Sequence, residues 1–584
     1  MSGRTIVSIE NLSFSYPRVI EPLLRDINLK IYEGELVIIT GANGSGKTTL
    51  GKCINGLVPY STGGVFKGRV EVCGVGTLDK DVSELALYAG FVFPNPEDQL
   101  ATPQVETEIA FGLSNLGIPR ETIFERVDTV LDRLAITQLR KESTFNLSTG
   151  QQQMIAIASC LVMEPRVLIL DDPLSHLNQN TSDKVIEIVR ELKAKGTTIL
   201  WISQNMSEMF GYADRVVLLE SGRIAFTGSP EAMCDEIDFG KSPVIAPQYV
   251  EFSHALVKAG FADGLVSPDL EKTVEKLKAL MPPRGRASER KGDKPVGGRQ
   301  GSAPLIRFDH VSFSYPNGFQ ALKDINLDLH EGDFVLLSGW NGSGKTTLAK
   351  HVNGLLRPTE GTVLVGGEDI SGKPTSDLAR EVGFLFQNPD HQLHKPTVRE
   401  ELLFSLKNFD VSEQEMGEKL SEVSERFGLG PLLDRAPQEL SGSEKKRVTV
   451  ASVLIYEPRV VVFDEATANL DRNQTRSIIE IIEKYFDETR IIISISHDIR
   501  MWADSDKLNR VVIMRDGAVV DDGAPEDILC SPETMDYLYG NLLPVTRIAR
   551  SLGDRGVAPT HYRTDTLVQE ISRLARSASS AAAE

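Results

Sequence analysis

Residues 41–50 read GANGSGKTTL, and residues 339–348 read GWNGSGKTTL. Each string holds the spacing GxxxxGK[ST] and follows an apolar stretch of strand length, ELVIIT before Gly41 and DFVLLS before Gly339. The glycines of such a loop let backbone N–H groups turn inward around a phosphate. The helix that opens near Lys47 or Lys345 aims the positive end of its dipole at the same point. The lysine reaches the β- and γ-phosphates, and the hydroxyl of Thr48 or Thr346 suits a Mg²⁺ ligand. The first predicted nucleotide cradle is Gly41, Ala42, Asn43, Gly44, Ser45, Gly46, Lys47, Thr48 and Thr49. The second is Gly339, Trp340, Asn341, Gly342, Ser343, Gly344, Lys345, Thr346 and Thr347. Strand, loop and helix in this order predict an α/β fold with two P-loop domains.

The surrounding sequence repeats with the loops. FSYP stands at 14–17 and again at 313–316, and FVFPNPEDQL from 91 returns as FLFQNPDHQL from 384. NLSTGQQQ from 146 matches ELSGSEKKR from 439, and RVLILDDPLSHLN from 166 matches RVVVFDEATANLD from 459. The offset is 298 residues at the phosphate loops and 293 at the later motifs, close to half of the 584-residue chain. That period means a duplicated domain rather than a solenoid of short repeats. The expected domains are 1–281 and 305–584, joined by PPRGRASERKGDKPVGGRQGSAP at 282–304. Val296 is the one branched aliphatic residue of that segment. It cannot bury a core and reads as a flexible linker, a coil spanning about 26 Å. Each half also closes on helical-looking stretches, at 252–280 and 545–576. VLILD ending at Asp171 and VVVFD ending at Asp464 are buried-strand patterns that finish on a carboxylate. At the C-terminal edge of a strand beside a phosphate loop, that carboxylate fits a Mg²⁺ site.

Composition narrows the classes. With 63 Lys+Arg against 82 Asp+Glu the net charge is −19, which argues against non-specific nucleic-acid binding and reads as solubility. No apolar run approaches the 18 or more residues of a membrane span, and the N-terminus lacks the apolar core of a secretory signal. Cys53, Cys73, Cys160, Cys234 and Cys530 show no CxxC spacing and read as reduced, packed cysteines of a cytosolic protein. Any membrane role must come through a partner. His391 and His394 have helical spacing for a metal, but their polar loop offers no nearby cysteine or third histidine. A solvated loop is the reading.

These motifs together resemble the ABC ATPase family over essentially the whole chain. The family's signature loop matches LSTGQ, with Leu147, Ser148, Gly150 and Gln151, and LSGSE, with Ser441, Gly442 and Ser443. The resemblance implies that Tyr16 and Tyr315 stack on adenine. It assigns Gln387 as the Q-loop glutamine, Glu465 as the catalytic glutamate and His497 as the switch histidine. It also implies head-to-tail pairing of the two domains, so that each ATP lies between one phosphate loop and the other domain's signature, with Mg²⁺.

The first copy departs from the family at the positions that do chemistry. Pro94 stands where Gln387 stands in the second copy, Asp172 where Glu465 stands and Gln204 where His497 stands. Aspartate is one methylene short for placing an attacking water, and glutamine cannot supply the proton chemistry of histidine. The last signature glycine is kept as Gly150 but becomes Ser443 in the second copy, where a Cβ crowds the γ-phosphate. Head-to-tail pairing would gather Ser443, Pro94, Asp172 and Gln204 at the first nucleotide. It would gather Gly150, Gln387, Glu465 and His497 at the second. Thr149 and Asn178 are further departures that dilute this pattern. The expectation is one hydrolysing site and one binding-only site.

FPNPEDQLATPQVETEIAFGLSNLGIP, FQNPDHQLHKPTVREELLFSLKN and the tail LLPVTRIARSLG are similar to the ATPases of energy-coupling factor importers and their cobalt- and nickel-importing relatives. That resemblance implies a peripheral place on the cytoplasmic face of the cell membrane. It further implies a transmembrane coupling protein and a substrate-capturing membrane protein as partners, with a vitamin or transition-metal ion as cargo. Two alternatives stand beside it, a tandem sugar-importer ATPase and a soluble tandem ABC protein acting on ribosomes. The ribosome-acting relatives usually carry a long charged helical linker, unlike the Pro- and Gly-broken segment 282–304.

Overall fold

In the computed structural model the chain divides into two compact units, Met1–Leu277 and Lys278–Glu584. The structure describes residues 3–175, 177, 179–240, 242–262, 264–284, 303–340, 342–467, 470–496, 499–539 and 542–581.

The first unit contains strands β1 (Thr5–Ser15), β2 (Leu24–Tyr32), β3 (Leu36–Gly41), β4 (Val65–Val72), β5 (Val75–Gly76) and β6 (Ala89–Val92). β7 (Val167–Asp171), β8 (Thr198–Ile202), β9 (Arg215–Glu220) and β10 (Arg223–Gly228) complete it. β9, β3, β8, β7 and β6 pair parallel in that order, and β10 closes the β9 edge antiparallel. Every residue of β3, β7 and β8 is buried, as strands covered on both faces require. β2, β1, β4 and β5 form a second, antiparallel sheet. Ile9, Ile27 and Val70 of that sheet share one core with Val37 and Ile39 of β3 and with Leu50, Cys53 and Ile54. These last three lie on the helix Lys47–Ile54 that follows the first phosphate loop. The loop is therefore anchored by packing on both sheets.

The second unit repeats this order with β11 (Ile306–Ser314), β12 (Gln320–Leu329), β13 (Phe334–Gly339), β14 (Glu360–Val365), β15 (Glu368–Asp369) and β16 (Val382–Leu385). β17 (Val460–Asp464), β18 (Ile491–Ile495), β19 (Arg510–Arg515) and β20 (Ala518–Gly523) follow. The large sheet runs β16–β17–β18–β13–β19–β20, and the small one β12–β11–β14–β15. Side chains alternate along β13. Val335 and Leu337 enter the core shared with the antiparallel sheet, whereas Phe334 and Leu336 enter a second core on the other face. Each such fully buried side chain stabilises by about 1.5–3 kcal/mol.

That second core holds residues of the helices Val398–Asn408, Glu413–Arg426 and Gly442–Leu454, and reaches Met535 and Leu538 of the helix Pro532–Tyr539. The corresponding helices of the first unit are Val105–Asn115, Arg120–Arg133 and Thr149–Leu161. C-terminal helices stand at Gln248–Lys258 and Leu270–Leu280, and again at Pro544–Ser551 and Thr564–Ala581, where the sequence predicts them. The architecture is the expected α/β one, with a helical subdomain and a small helical extension in each unit.

Candidate functional site

Each phosphate loop leaves its strand through a glycine that nothing else could replace. A Cβ on Gly41 would lie 2.2 Å from the carbonyl oxygen of Leu219, and one on Gly339 2.2 Å from that of Met514. Gly46 and Gly344, at φ 100° and 101°, then open the helices Lys47–Ile54 and Lys345–Val352. Lys47 Nζ donates to the carbonyls of Gly41 and Ala42 at 2.9 Å each. Lys345 Nζ donates to those of Gly339 and Trp340 at 2.8 Å each. Burial pushes the Lys345 ammonium below its ordinary pKa, opposed by Glu465 and Asp464. Asn341 lies outside the described residues.

The tyrosines of both FSYP strings meet these helices. Tyr16 and Thr49 hydroxyls lie 3.1 Å apart, as do those of Tyr315 and Thr347. Phe14 and Phe313 brace the two rings edge-on at 4.9 Å. Each half-buried aromatic is thereby tied one residue away from Thr48 or Thr346.

The strand-end carboxylates sit beside those threonines. Thr346 Oγ1 donates to Asp464 at 3.0 and 3.1 Å. Thr48 hydrogen-bonds Asp171, whose Oδ2 has no hydrogen-bond partner although the residue is 1 % exposed. Burial pushes the Asp171 carboxyl up to about 7, and burial raises Asp464 as well, with neighbouring Glu465 adding to it. A buried carboxylate with an orphaned oxygen is costly unless a cation compensates it. Carboxylate and hydroxyl oxygens beside a phosphate cradle are the donors that Mg²⁺ takes. The residues present fit that ion.

The next residue differs between the units while its backbone does not. Asp172 at φ 43° and Glu465 at φ 52° both occupy the left-handed region, which is strained for a residue with a Cβ. Their N–H groups donate to Ile202 O at 2.8 Å and to Ile495 O at 3.0 Å. Gln204 donates through Nε2 to Pro243 O at 3.4 Å, and its own carbonyl accepts from Ile245 N at 3.2 Å. His497 and Asn178 lie outside the described residues. Pro94 is half-buried after β6. At the equivalent place after β16, the carbonyl of Gln387 accepts from Lys446 Nζ at 3.2 Å.

Both signature loops form reciprocal caps. Ser148 accepts from Gln151 N and donates its own N–H to Gln151 Oε1 at 2.9 Å, opening Thr149–Leu161. Ser441 makes the same exchange with Glu444, at 2.8 Å for its N–H, opening Gly442–Leu454. The Ser441 bonds hold the Glu444 carboxyl below the usual carboxylate range. Gly150 and Ser443 occupy the second position of these helices, and Ser443 Oγ lies 3.4 Å from Ser441 Oγ.

Four features escape the motif reading. Lys446, only 3 % exposed, also donates to Glu465 O at 3.0 Å. Burial lowers its ammonium to about 8, opposed by Glu465 and Asp464. Gln99 and Gln392 accept from Phe93 N and Phe386 N at 2.9 and 3.3 Å, bracing the loop after β6 and after β16. Glu108 accepts from the N–H groups of Ala101 and Thr102, and Glu401 from those of His394 and Lys395. These glutamines and glutamates recur at the same 293-residue offset, a signal that comparing the copies position by position would have revealed. Finally, Trp340 of the second loop stacks on Tyr537 at 4.9 Å and 22°. Arg515 lies 4.7 Å over the same tyrosine. His394 Nε2 lies 3.1 Å from the carbonyl of His391. Among the described residues no helix is long and apolar enough to cross a membrane.

A sequence profile described as ABC transporter matches residues 24–175 and 322–468. A Methanosarcina mazei protein named as an ABC transporter ATP-binding protein is 36% identical over 562 residues, covering 94% of each chain. A Bacillus subtilis protein named for HMP/thiamine import, YkoD, is 32% identical over 541 residues, covering 91% of this chain and 93% of its own. The solved structure of cbiO1 from Clostridium perfringens, described as part of the ABC transporter complex cbiONQ, is 31% identical. It covers 40% of this chain and 91% of its own at a TM-score of 0.36.

Proposed function

Because the chain belongs to the ABC transporter family and is an ATPase of that family, we propose that it powers an importer of the energy-coupling factor type. The observation that carries the importer reading is the end-to-end likeness of both units to the relative named for HMP/thiamine import. The cargo class proposed is a vitamin or a transition-metal ion. Its partners in this reading are a transmembrane coupling protein and a substrate-capturing membrane protein, and its place is peripheral, on the cytoplasmic face of the membrane.

The chemistry follows from the residues. Lys47 and Lys345 exchange their loop carbonyls for the β- and γ-phosphates of ATP, while Tyr16 and Tyr315 offer ring faces to adenine. Thr48 with Asp171, and Thr346 with Asp464, would hold Mg²⁺, which when bound neutralises phosphate charge. At the second site the Glu465 carboxylate takes a proton from the attacking water. The water oxygen joins the γ-phosphorus as the bond to the ADP oxygen breaks. Gln387 and His497 are proposed to orient the same water and phosphate. At the first site Asp172 is a methylene short, and Gln204 is engaged by Pro243.

We assign to head-to-tail pairing of the units the remaining contacts, from Gly150 to the second nucleotide and from Ser443 to the first. Exposed helix starts such as those at Ser148 and Ser441 favour an anion.

Affinity capture of the chain from detergent-solubilised native membranes tests the reading. Co-purification of integral membrane proteins, with ATP turnover in the complex, is the expected result. Recovery with ribosomes and without membrane proteins would overturn it.

A further inference from the structure

The second unit contains a buried cation that its phosphate chemistry does not require. Lys446 lies on the first turns of the signature helix Gly442–Leu454 and is 3 % exposed. Its Nζ donates to Glu465 O at 3.0 Å and to Gln387 O at 3.2 Å. These carbonyls belong to the residue proposed as general base and to the residue proposed to orient the water. Glu465 holds a left-handed backbone at φ 52°, a conformation that persists only where its surroundings over-determine it. Asp172 holds the same backbone at φ 43° with its carbonyl accepting from Ser175 Oγ at 2.9 Å; at Glu465 the donor is charged, and charge-assisted hydrogen bonds are about twice as strong as neutral ones.

The first unit shows what the alternative looks like. Gln153 occupies the same helix position, fully buried, and donates to Phe93 O at 3.3 Å while its Oε1 has no hydrogen-bond partner. It carries no charge, and the carbonyl it holds belongs to the residue before Pro94. The unit with the glutamate has the lysine, and the unit with the shorter aspartate has the amide.

We propose that Lys446 is a positioning residue for ATP hydrolysis, clamping the carbonyl of Glu465 to that of Gln387 so that the Glu465 carboxylate faces the attacking water. The proposal rests on the reading of the second unit as the hydrolysing one. Since Lys446 rides on the signature helix, a shift of that helix is carried to both residues at once.

Steady-state ATPase measurements on the full chain test it with Lys446→Gln, Lys446→Met, Lys446→Arg, Glu465→Gln and the double variant Lys446→Met/Glu465→Gln. Gln at 446 restores the residue that packs in the first unit, and thermal melts of each variant establish that it folds. Loss of the clamp should lower kcat about ten- to a hundredfold, the scale on which small misplacements act, with KM for ATP within about twofold because the phosphate loop is untouched. Lys446→Arg should recover most of the rate. In the double variant the Lys446 change should add nothing to the loss from Glu465→Gln, as expected of residues acting as one unit. If Glu465→Gln abolishes turnover while Lys446→Met stays within twofold of wild type, the proposal alone falls. Losses that multiply in the double variant, or a KM that rises with the fall in kcat, would also overturn it as a structural effect. If Glu465→Gln turns over like wild type, the hydrolysing-site reading falls and takes the proposal with it.

Discussion

The ends of β7 and β17 are the same piece of backbone carrying different chemistry. Asp172 and Glu465 share a left-handed φ and a hydrogen bond from their N–H to the neighbouring strand. The strand-end carboxylates Asp171 and Asp464 are buried alike beside their threonines. What changes is the reach of the next carboxylate and the side chains around it, with Lys446 set against Gln153 and Gln387 against Pro94. A duplicated fold can thus keep two phosphate cradles intact while one of them departs from the residues proposed for catalysis. Retention of the costly buried carboxylate at Asp171 makes sense if that unit still binds its ligand.

The comparison breaks most severely at the lysines. Lys345→Ala should reduce turnover about a thousandfold, the upper scale for losing a charge-stabilising donor. Lys47→Ala should leave turnover measurable and instead release the nucleotide held by the first loop. Similar losses from both in a steady-state assay would make the units equivalent.

The residue proposed as general base gives the next effect. Glu465→Gln should lower kcat about a hundredfold, and Asp172→Asn should change it by less than about twofold. Equal losses would show two engines rather than one.

Occupancy sharpens the same contrast. After several turnovers with Mg·ATP and rapid desalting, nucleotide analysis should find about one unhydrolysed ATP per chain, which also stabilises the fold through linkage. ADP in both sites, or no retained nucleotide, would mean that the first site cycles like the second.

Covalent fusion gives a smaller effect. Cleavage within residues 282–304 should leave activity intact in concentrated solution and reduce it on dilution, since the tether supplies an effective concentration on the mM scale. Immediate loss at every concentration would assign the segment a structural part.

The smallest effect is one of stability. Asp171 sits near 7 in the folded chain and near 3.9 when unfolded. The folded state keeps a proton that the unfolded state releases, so the nucleotide-free protein loses stability as pH rises from about 4 to about 7. Asp171→Asn removes that loss. Its Tm without nucleotide should exceed that of wild type, by more at pH 8 than at pH 5. With Mg·ATP present the order should reverse. A variant less stable than wild type at pH 8 without nucleotide would show that the carboxylate is compensated from within.

Much of this fold and site is legible in the amino-acid sequence, because phosphate loops, buried parallel strands and strand-end carboxylates are local patterns. GxxxxGK[ST] after a strand fixes backbone and chemistry together, and VLILD and VVVFD announce burial on both faces. What a linear pattern hides depends on tertiary packing. Nothing in the string EKKR marks Lys446 as buried, and only the folded helix sets it against two carbonyls. The bond from Gln204 to Pro243 joins a strand end to the segment leading into the C-terminal helices, and periodicity cannot join them. Trp340 and Tyr537 lie far apart in their unit's sequence and meet only through the fold.

That last contact gives the molecule an optical handle. The chain has three tryptophans. Trp201 and Trp502 are sealed in the interior at 2 % and 1 % exposure. Trp340 sits in the second phosphate loop, its ring against a tyrosine that an arginine covers from another side. Intrinsic fluorescence therefore watches one cradle and is nearly blind to the other. Nucleotide binding at the second loop should change the Trp340 emission with no dye attached.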